Sequence, residues 1–332
     1  MDKKRIVSGI RPTGDVHIGH YLGVLKNWVS LQDEYQCFYF AADWHALTSE
    51  YKDPSVIAQS SRDMVTVWLS VGIDPDRSVL FRQSDVKEHA ELFTLLSMIT
   101  PIPWLERNPT YKEMKEELKE KDLSTFGFLG YPVLQAADIV IYHVDRVPIG
   151  EDQLPHLELT REIVRRFNYL YGAQTLREPK EILTEAPRVP GLDGRKMSKS
   201  YGNAIFIEET EASLKPKVMQ MLTDVKRMRR SDPGEPNDCN LFPFHDFFTD
   251  EATREEIQAG CRSAQWGCVD CKKVLLKNLV AEFSPVWEKI AYYKGHMTLV
   301  DDILKAGRQR ATLESELTMA RVREAMKLAY HD

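Results

Sequence analysis

The chain has 332 residues, of which 43% are hydrophobic and 28% charged, and its formal net charge is −6. This composition is typical of a globular protein of about two domains, and it excludes a disordered, collagen-like or coiled-coil chain. The negative balance excludes a general binder of polyanions. A basic run at residues 226–230 indicates either a local RNA-contacting surface or an ordinary solvated helix face.

The first half of the chain alternates strand and helix patterns. Apolar runs predict buried strands at residues 6–10, 37–41 and 78–81, and residues 138–144 predict a fourth strand or the end of a helix. Amphipathic segments predict helices at residues 18–35, 54–71 and 153–171. This alternation predicts a parallel sheet covered by helices on both faces. Ligands bind such sheets at the carboxyl ends of the strands, which places residues 11–20 beside the crevice.

The strand patterns fade after about residue 203. Residues 214–228, 251–264, 272–291 and 312–329 all predict helices. We therefore expect an α/β domain over residues 1–202 and an all-helical domain over residues 203–332. The longest uncharged run, residues 123–137, contains Gly127, Gly130 and Pro132 and is too short to span a membrane, so we expect a cytoplasmic protein.

A pair of histidines directly follows the first predicted strand. His17 and His20 flank Ile18 and Gly19, and side chains three residues apart share one face of a helix. At a helix N-terminus their ring N–H groups could donate to phosphate oxygens, and Gly19 leaves room for a flat ring near the backbone. The same pair is also compatible with a metal site or an ordinary surface.

A cationic loop lies between Gly194 and Gly202. It places Lys196 and Lys199 three residues apart in a segment that glycines can keep mobile. Such a loop could close over a triphosphate and stabilise charge on leaving pyrophosphate. By composition alone, an exposed basic turn would be the favoured interpretation.

In this order, His-Ile-Gly-His at 17–20 and Lys-Met-Ser-Lys-Ser at 196–200 resemble the signature pair of class I aminoacyl-tRNA synthetases. Four further segments are most similar to the bacterial tryptophanyl enzymes. They are Ser-Gly-Ile-Arg-Pro-Thr-Gly at 8–14, Ala-Asp-Trp-His-Ala at 42–46, Tyr-Pro-Val-Leu-Gln-Ala-Ala-Asp at 131–138 and Gly-Glu-Asp-Gln at 150–153. The alternatives are a tyrosyl-type synthetase, another class I-like nucleotidyltransferase, and a non-catalytic paralogue that senses iron or binds RNA.

The resemblance implies a Rossmann-like catalytic domain that binds ATP and tryptophan, and a helical domain that binds the tRNA anticodon. It implies ligation of L-tryptophan to tRNA(Trp) through tryptophanyl-adenylate, with release of AMP and pyrophosphate and with Mg²⁺ bound to the ATP phosphates. The implied partners are tRNA(Trp), tryptophan, ATP and a second copy in a homodimer, with no DNA and no membrane.

The resemblance also assigns site residues. The catalytic residues would be His17, His20, Lys196 and Lys199. The ATP-binding residues would be Arg11, Pro12, Thr13, Gly19, His20, Gly150, Glu151, Asp152, Val189, Lys196, Met197, Ser198, Lys199 and Ser200. Asp138 would accept the indole N–H, with Tyr131, Gln135 and Gln153 also at the tryptophan.

Some of these positions depart from several relatives. Met stands there in place of Gln135, Gln in place of Arg11, and Thr and Asn in place of His17 and His20. Gln135 could therefore add a hydrogen bond to the substrate, and Arg11 could take over part of the charge stabilisation. Without the resemblance, Asp138 would be interpreted as a helix cap or an arginine partner.

Four of the five cysteines cluster within residues 239–271, whereas Cys37 is isolated in a predicted strand. Cysteines of a cytosolic chain suggest a metal before a disulfide, and their spacing leaves zinc, an iron–sulfur cluster or unmetallated thiols open. Some bacterial tryptophanyl-tRNA synthetases carry a [4Fe–4S] cluster on Cys-x₂₂-Cys-x₆-Cys-x₂-Cys. Here the first gap is 21 and the other two match. The resemblance implies this cluster on Cys239, Cys261, Cys268 and Cys271.

Overall fold

The computed structural model describes residues 3–117, 122–172, 174–184 and 189–329, apart from the side chains of residues 114, 115, 117 and 200. The predicted ATP contact of the Ser200 side chain therefore lies outside the described residues. No helix of the described chain is long and apolar enough to cross a membrane.

Five parallel strands form one sheet in the order β3-β2-β1-β4-β5. The strands are Arg5–Ile10, Gln36–Ala41, Ser78–Arg82, Arg146–Ile149 and Lys180–Leu183, numbered β1 to β5. The middle strands are apolar on both faces because helices cover both faces of the sheet. The strand order reverses between β1 and β4, where doubly wound sheets bind ligands. The predicted α/β class with a parallel sheet is confirmed.

Fourteen α-helices are present in the described residues. In chain order, α1 to α14 are Ile18–His20, Lys26–Leu31, Asp43–Glu50, Ile57–Val71, Glu88–Ser97, Ile102–Arg107, Pro109–Glu117, Phe126–Val140, Leu154–Tyr171, Glu211–Gln220, Phe242–Phe248, Glu251–Arg262, Cys268–Gly295 and Met297–Ala325. A π-helical turn, Tyr21–Leu25, joins α1 to α2, so the helix predicted at residues 18–35 is present in three pieces and ends at Leu31.

One open prediction is resolved, and one segment differs from its prediction. Of the two alternatives for residues 138–144, the end of a helix is the one present: α8 runs to Val140, and its apolar run is buried helix. The helix predicted over residues 214–228 ends at Gln220, because Met221 has extended backbone angles. Beyond it the Asp224 carboxylate accepts the backbone N–H groups of Lys226 and Glu235, which holds a turn. The basic run at 226–230 is therefore not a helix face.

The described residues form two compact units. The first takes residues 3–14, 26–117, 122–172, 174–184 and 296–329, and the second takes residues 15–25 and 189–295. In this division α14 belongs to the unit that contains the sheet, and the predicted domains, 1–202 and 203–332, stay a prediction. Gly307 of α14 lies so close to β3 that an added Cβ would be 1.8 Å from the Leu80 carbonyl oxygen. Glu314 of the same helix pairs with Arg5 of β1 at 2.9 Å.

Candidate active site

The carboxylate of Asp138 is the centre of a buried hydrogen-bond network in the first unit. Asp138 is 2% exposed. His45 Nε2 donates to its Oδ2 at 2.7 Å, and His89 Nδ1 donates to its Oδ1 at 2.6 Å. Gln83 Nε2 donates to both oxygens, at 2.8 and 2.9 Å. Since Gln83 directly follows β3, the network lies at a carboxyl end of the sheet.

The network keeps Asp138 an anionic acceptor. Burial by itself would raise the pKa of Asp138, but hydrogen bonds from His45 and His89 outweigh it and hold that pKa below its ordinary value. The Gln83 amide is oriented because its Oε1 accepts the backbone N–H of Trp44 at 3.1 Å. The hydrogen-bond partners of Asp138 in the described structure are thus two imidazoles and an amide, which disfavours the interpretation as an arginine partner.

A second chain of hydrogen bonds contains Tyr131 and Gln153, two of the other residues predicted at the tryptophan. The Tyr131 hydroxyl lies 2.9 Å from His156 Nε2, and His156 Nδ1 lies 3.1 Å from Gln153 Oε1. Gln135 is half-buried on the same face of α8 as Tyr131 and Asp138, since side chains four and seven residues apart share a helix face. The ring of His45 lies 6.5 Å from the Tyr131 ring, so the two networks are neighbours.

His156 makes the stability of the fold depend on pH. Burial lowers the pKa of His156 from 6.5 to about 4, with nearby His45 adding to the shift and Asp152 opposing it. Between these two values the unfolded chain binds a proton that the folded chain does not. The free energy of unfolding therefore falls as pH drops from 6.5 towards 4, by at most about 1.4 kcal/mol per pH unit for this group.

We expect His156→Gln to flatten this dependence, because glutamine does not titrate. Urea unfolding followed at several pH values between 7.5 and 4.5 measures the slope. An equal slope in the variant would contradict the shifted pKa. The difference between wild type and variant in the free energy of unfolding above pH 7 gives the separate cost of the lost hydrogen bonds.

The predicted ATP residues of the first unit follow two adjacent strands. Arg11, Pro12 and Thr13 form the turn after β1, in which the Thr13 N–H donates to the Arg11 carbonyl oxygen at 2.9 Å. Gly150, Glu151 and Asp152 come directly after β4. Since the strand order reverses between β1 and β4, both turns lie at the switch point of the sheet.

The second unit contains both histidines of the first motif. His17 forms an isolated antiparallel bridge with Phe206, and the Ile18 N–H donates to the Ile205 carbonyl oxygen at 2.9 Å. The rings of His17 and His20 stack with centroids 3.8 Å apart. An added Cβ at Gly19 would lie 2.9 Å from the His17 ring, which explains why glycine is required between them.

His17 is a half-buried side chain that is neutral at neutral pH. Burial and the positive charge of Lys199 lower the pKa of His17 to about 4. Its Nδ1 atom is buried and has no hydrogen-bond partner. Buried polar atoms are nearly always paired in folded proteins. The unpaired Nδ1 of His17 therefore fits a ligand that supplies a hydrogen-bond partner. Because the charge of Lys199 affects the pKa of His17, the cationic loop lies close to the histidine motif within this unit.

The cationic loop is held by Asn203. The side chain of Asn203 accepts the Ser198 N–H at 2.8 Å and donates to the Lys196 carbonyl oxygen at 3.2 Å. Val189 accepts the Met197 N–H at 3.3 Å, so the predicted contacts at 189 and 196–199 lie on one loop. Gly191 is required because an added Cβ would lie 2.2 Å from the Asn203 amide nitrogen.

The four clustered cysteines line one cavity in the second unit, together with Arg227. Burial and the neighbouring thiols raise the pKa of Cys271 to about 12, and His245 Nε2 lies 3.1 Å from its sulfur. The Arg227 Nε is buried without a partner, and its Nη1 lies 3.9 Å from Cys261 Sγ. In the parts of the chain that are described, no three His, Cys, Asp or Glu side chains are arranged to hold a metal ion. The predicted metal site is thus not shown.

Sequence reasoning missed several of these residues. His45 lies within the quoted Ala-Asp-Trp-His-Ala segment but received no role, and Gln83 could have been found as the polar residue that ends β3. His89, Tyr142 and Asn203 carry no local signal, because only the fold brings them to their partners.

Comparison with known proteins decides the family. Residues 2–284 match the family model described as tRNA synthetases class I (W and Y). The chain belongs to this family. It is 53% identical to the tryptophan–tRNA ligase of Thermotoga maritima over 98% of this chain and all of the relative. It is 46% identical to that of Ralstonia nicotianae over 99% of this chain and all of the relative.

Solved structures support the same family. The tryptophanyl-tRNA synthetase of Campylobacter jejuni, complexed with ADP and tryptophan, superposes with a TM-score of 0.88 at 35% identity, covering 98% of this chain and all of that one. A tyrosyl-tRNA synthetase of Archaeoglobus fulgidus shares the fold, with a TM-score of 0.66 at 21% identity. The activity of this synthetase is the ATP-dependent ligation of tryptophan to tRNA. The predicted function and enzyme class are confirmed.

Proposed function

We propose that this chain recognises tryptophan at Asp138 and activates it with charge stabilisation from the histidine motif and the cationic loop. The observation that carries the tryptophan assignment is the buried, anionic Asp138 carboxylate at a carboxyl end of the sheet. The indole N–H is the only hydrogen-bond donor of the tryptophan side chain, and a fixed carboxylate is its natural acceptor. Tyr131, Gln135 and Gln153 would contact the rest of the amino acid.

The reaction needs no protein nucleophile. The tryptophan carboxylate attacks the α-phosphorus of ATP, an oxygen–phosphorus bond forms, and the bond to pyrophosphate breaks. The terminal ribose hydroxyl of tRNA(Trp) then attacks the acyl carbon and displaces AMP. Here His17, His20, Lys196 and Lys199 would stabilise the charge on the phosphates, with Mg²⁺ bound to ATP, so catalysis is positioning and electrostatics.

A charging assay tests this function. Purified chain, ATP, Mg²⁺ and radiolabelled tryptophan are incubated with a tRNA(Trp) transcript or, as the matched control, a tRNA(Tyr) transcript. We expect acid-precipitable label on tRNA(Trp) only. A parallel reaction contains radiolabelled tyrosine in place of tryptophan, and charging of tRNA(Tyr) in it would favour the tyrosyl-type alternative. Adenylate formation without transfer to either tRNA would favour the nucleotidyltransferase alternative.

The cysteine cavity is proposed to hold a [4Fe–4S] cluster. Cys239, Cys261, Cys268 and Cys271 lie on one cavity wall, and four cysteines are the donor set of such clusters. The unpartnered Arg227 Nε on the same wall fits an anionic group in the cavity. When bound, the cluster would supply four iron–thiolate bonds that cross-link the segment before α11 to α12 and α13. Its role would be structural.

We expect protein purified without oxygen to show broad absorbance near about 400 nm, with about four irons and four sulfides per chain. Cys268→Ser should lose the absorbance and lower the melting temperature of the helical part. Cys37→Ser is the matched control, because Cys37 is buried in β2 and is not part of the cavity. One zinc per chain and no colour would replace the cluster with a structural ion, and neither metal would contradict the proposal.

The helical part of the chain is proposed to bind the tRNA anticodon through the basic run at 226–230. Two basic side chains of this run already pair with carboxylates and are less available to bind phosphates. Lys226 pairs with Asp238 at 2.5 Å, and Arg230 pairs with Asp270 at 3.3 Å. Two adjacent lysines, Lys272 and Lys273, follow in α13. Lys272 is buried and donates to the Met219 carbonyl oxygen at 2.8 Å, whereas Lys273 is exposed and is therefore the better phosphate contact.

A homodimer in the cytoplasm is proposed for the working enzyme. Met98 and Ile102 are 72% and 58% exposed in the first unit, four residues apart. Apolar side chains that are exposed in the single chain are candidates for a surface that a second copy would cover. Sedimentation equilibrium should give about twice the mass of 38.3 kDa, and a monomer at micromolar concentration would contradict the dimer.

A further inference from the structure

We infer that His89 and Tyr142 form a buried relay that orients the Asp138 carboxylate for the indole N–H, and that they are positioning residues for tryptophan specificity. The inference rests on the proposed role of Asp138. Neither side chain would touch the substrate: both are 0% exposed, and they lie behind the carboxylate in the sheet unit.

The hydrogen bonds assign the direction of the relay. An ionised carboxylate only accepts, so His89 Nδ1 must carry a proton to contact Oδ1 of Asp138 at 2.6 Å. Tyr142 lies 2.6 Å from the other ring nitrogen, Nε2. Burial and the charges of Asp138 and Glu88 raise the pKa of Tyr142, so its hydroxyl keeps its proton and can donate. The imidazole then donates to Asp138 and accepts from Tyr142.

Packing fixes the relay in place. The Tyr142 ring stacks on Phe38 of β2 with centroids 4.6 Å apart and meets Phe81 of β3 edge to face at 5.7 Å. The His89 ring packs between Phe40 and Phe81, 5.9 and 6.0 Å from their centroids. Rotation of the imidazole would therefore displace the Phe40 or Phe81 side chain. The Nδ1–H group of His89 thus stays directed at Asp138.

The relay affects specificity because the Asp138 carboxylate must be held in one orientation to accept the indole N–H. His89 is the donor to Oδ1, His45 is the donor to Oδ2, and Gln83 contacts both. The His45 side chain is 11% exposed, whereas that of His89 is fully buried. His89 is thus the donor that an entering ligand does not reach, and we expect the carboxylate to keep its plane against it.

The test compares tryptophan with β-(3-benzothienyl)alanine, a near-isostere in which sulfur replaces the indole N–H. Kinetic constants come from ATP–pyrophosphate exchange. We expect the wild type to prefer tryptophan by roughly 10- to 100-fold in kcat/KM, the value of a hydrogen bond to a charged group. Tyr142→Phe, which removes one oxygen, should reduce this preference to within about threefold, through a higher KM for tryptophan at nearly unchanged kcat.

Three further variants keep the test decisive. Tyr39→Phe is the matched control, since Tyr39 is equally buried and donates to the Trp28 carbonyl oxygen at 3.1 Å, outside the network. It should keep the full preference. His89→Asn, whose amide N–H can replace Nδ1, should keep more preference than His89→Leu.

The outcomes separate the two claims. A wild type that does not distinguish the two amino acids would overturn the proposed role of Asp138. A wild type that does, together with a Tyr142→Phe variant that keeps the full preference, would overturn the relay. Equal losses for both amino acids would show a packing defect and would also overturn it.

Discussion

Lys199→Ala should lower kcat for tryptophan activation by about 10²- to 10³-fold while the KM for ATP changes by less than about threefold. Removing one preorganised charge that acts on the developing transition state costs about 3–4 kcal/mol. Lys199 lies near enough to His17 for its charge to lower the pKa of that ring. We therefore expect Lys199 and His17 to act on the same phosphates, mainly when pyrophosphate leaves.

Arg195→Ala is the matched control for this prediction. Arg195 lies on the same loop and carries the same charge, but it pairs with Asp193 at 2.6 Å and covers the Tyr201 ring at 4.5 Å. Its loss should leave kcat within about threefold. Equal losses of kcat in both variants would contradict a specific role of Lys199. A large rise in the KM for ATP with kcat unchanged would assign the loop to ground-state binding.

Asp138→Asn should lower kcat/KM for tryptophan by about 100-fold and leave the KM for ATP nearly unchanged. An amide offers one acceptor oxygen and two donor hydrogens, whereas Asp138 accepts from His45, His89 and Gln83. At least one of these donors would then face an N–H group, and the charged acceptor for the indole would be lost. A hydrogen bond to a charged group contributes about 1.5–3 kcal/mol, and the misoriented donors add to this.

The control is Asp145→Asn in the same unit. Asp145 accepts the Arg5 N–H at 2.9 Å and pairs with Arg177 at 2.7 Å, and it is not part of the Asp138 network. This variant should lose some stability but keep kcat/KM for tryptophan. A full-activity Asp138→Asn enzyme, with its melting temperature within a few degrees of wild type, would remove Asp138 from the specificity argument.

The sequence predicted those parts of the fold that local patterns determine. Strands β1 to β3 are apolar runs that the sheet buries on both faces, and helices α4 and α9 have clear amphipathic periods. Strand β5 was missed because it is short and largely exposed. The run at 138–144 left a strand and a helix end both open, because a buried helix is as apolar as a buried strand. The packing of α14 on β3 depends on Gly307, a contact between residues over 200 positions apart.

The sequence also predicted only those parts of the site that local patterns determine. The two signature motifs are local, so their residues could be named from sequence, and the structure brings His17, His20 and the cationic loop into one unit. The environment of Asp138 is not local. His45, Gln83 and His89 are 49 to 93 positions from Asp138, and only the sheet brings them to it. Their roles as donors to a carboxylate therefore required coordinates.

The most direct test of the account is ATP–pyrophosphate exchange by the wild-type enzyme with tryptophan or tyrosine as the only amino acid. We predict rapid exchange with tryptophan and at least about 10³-fold lower kcat/KM with tyrosine, because the Asp138 pocket is built for an indole donor. Comparable exchange with both amino acids, or faster exchange with tyrosine, would contradict the assignment of this pocket to tryptophan.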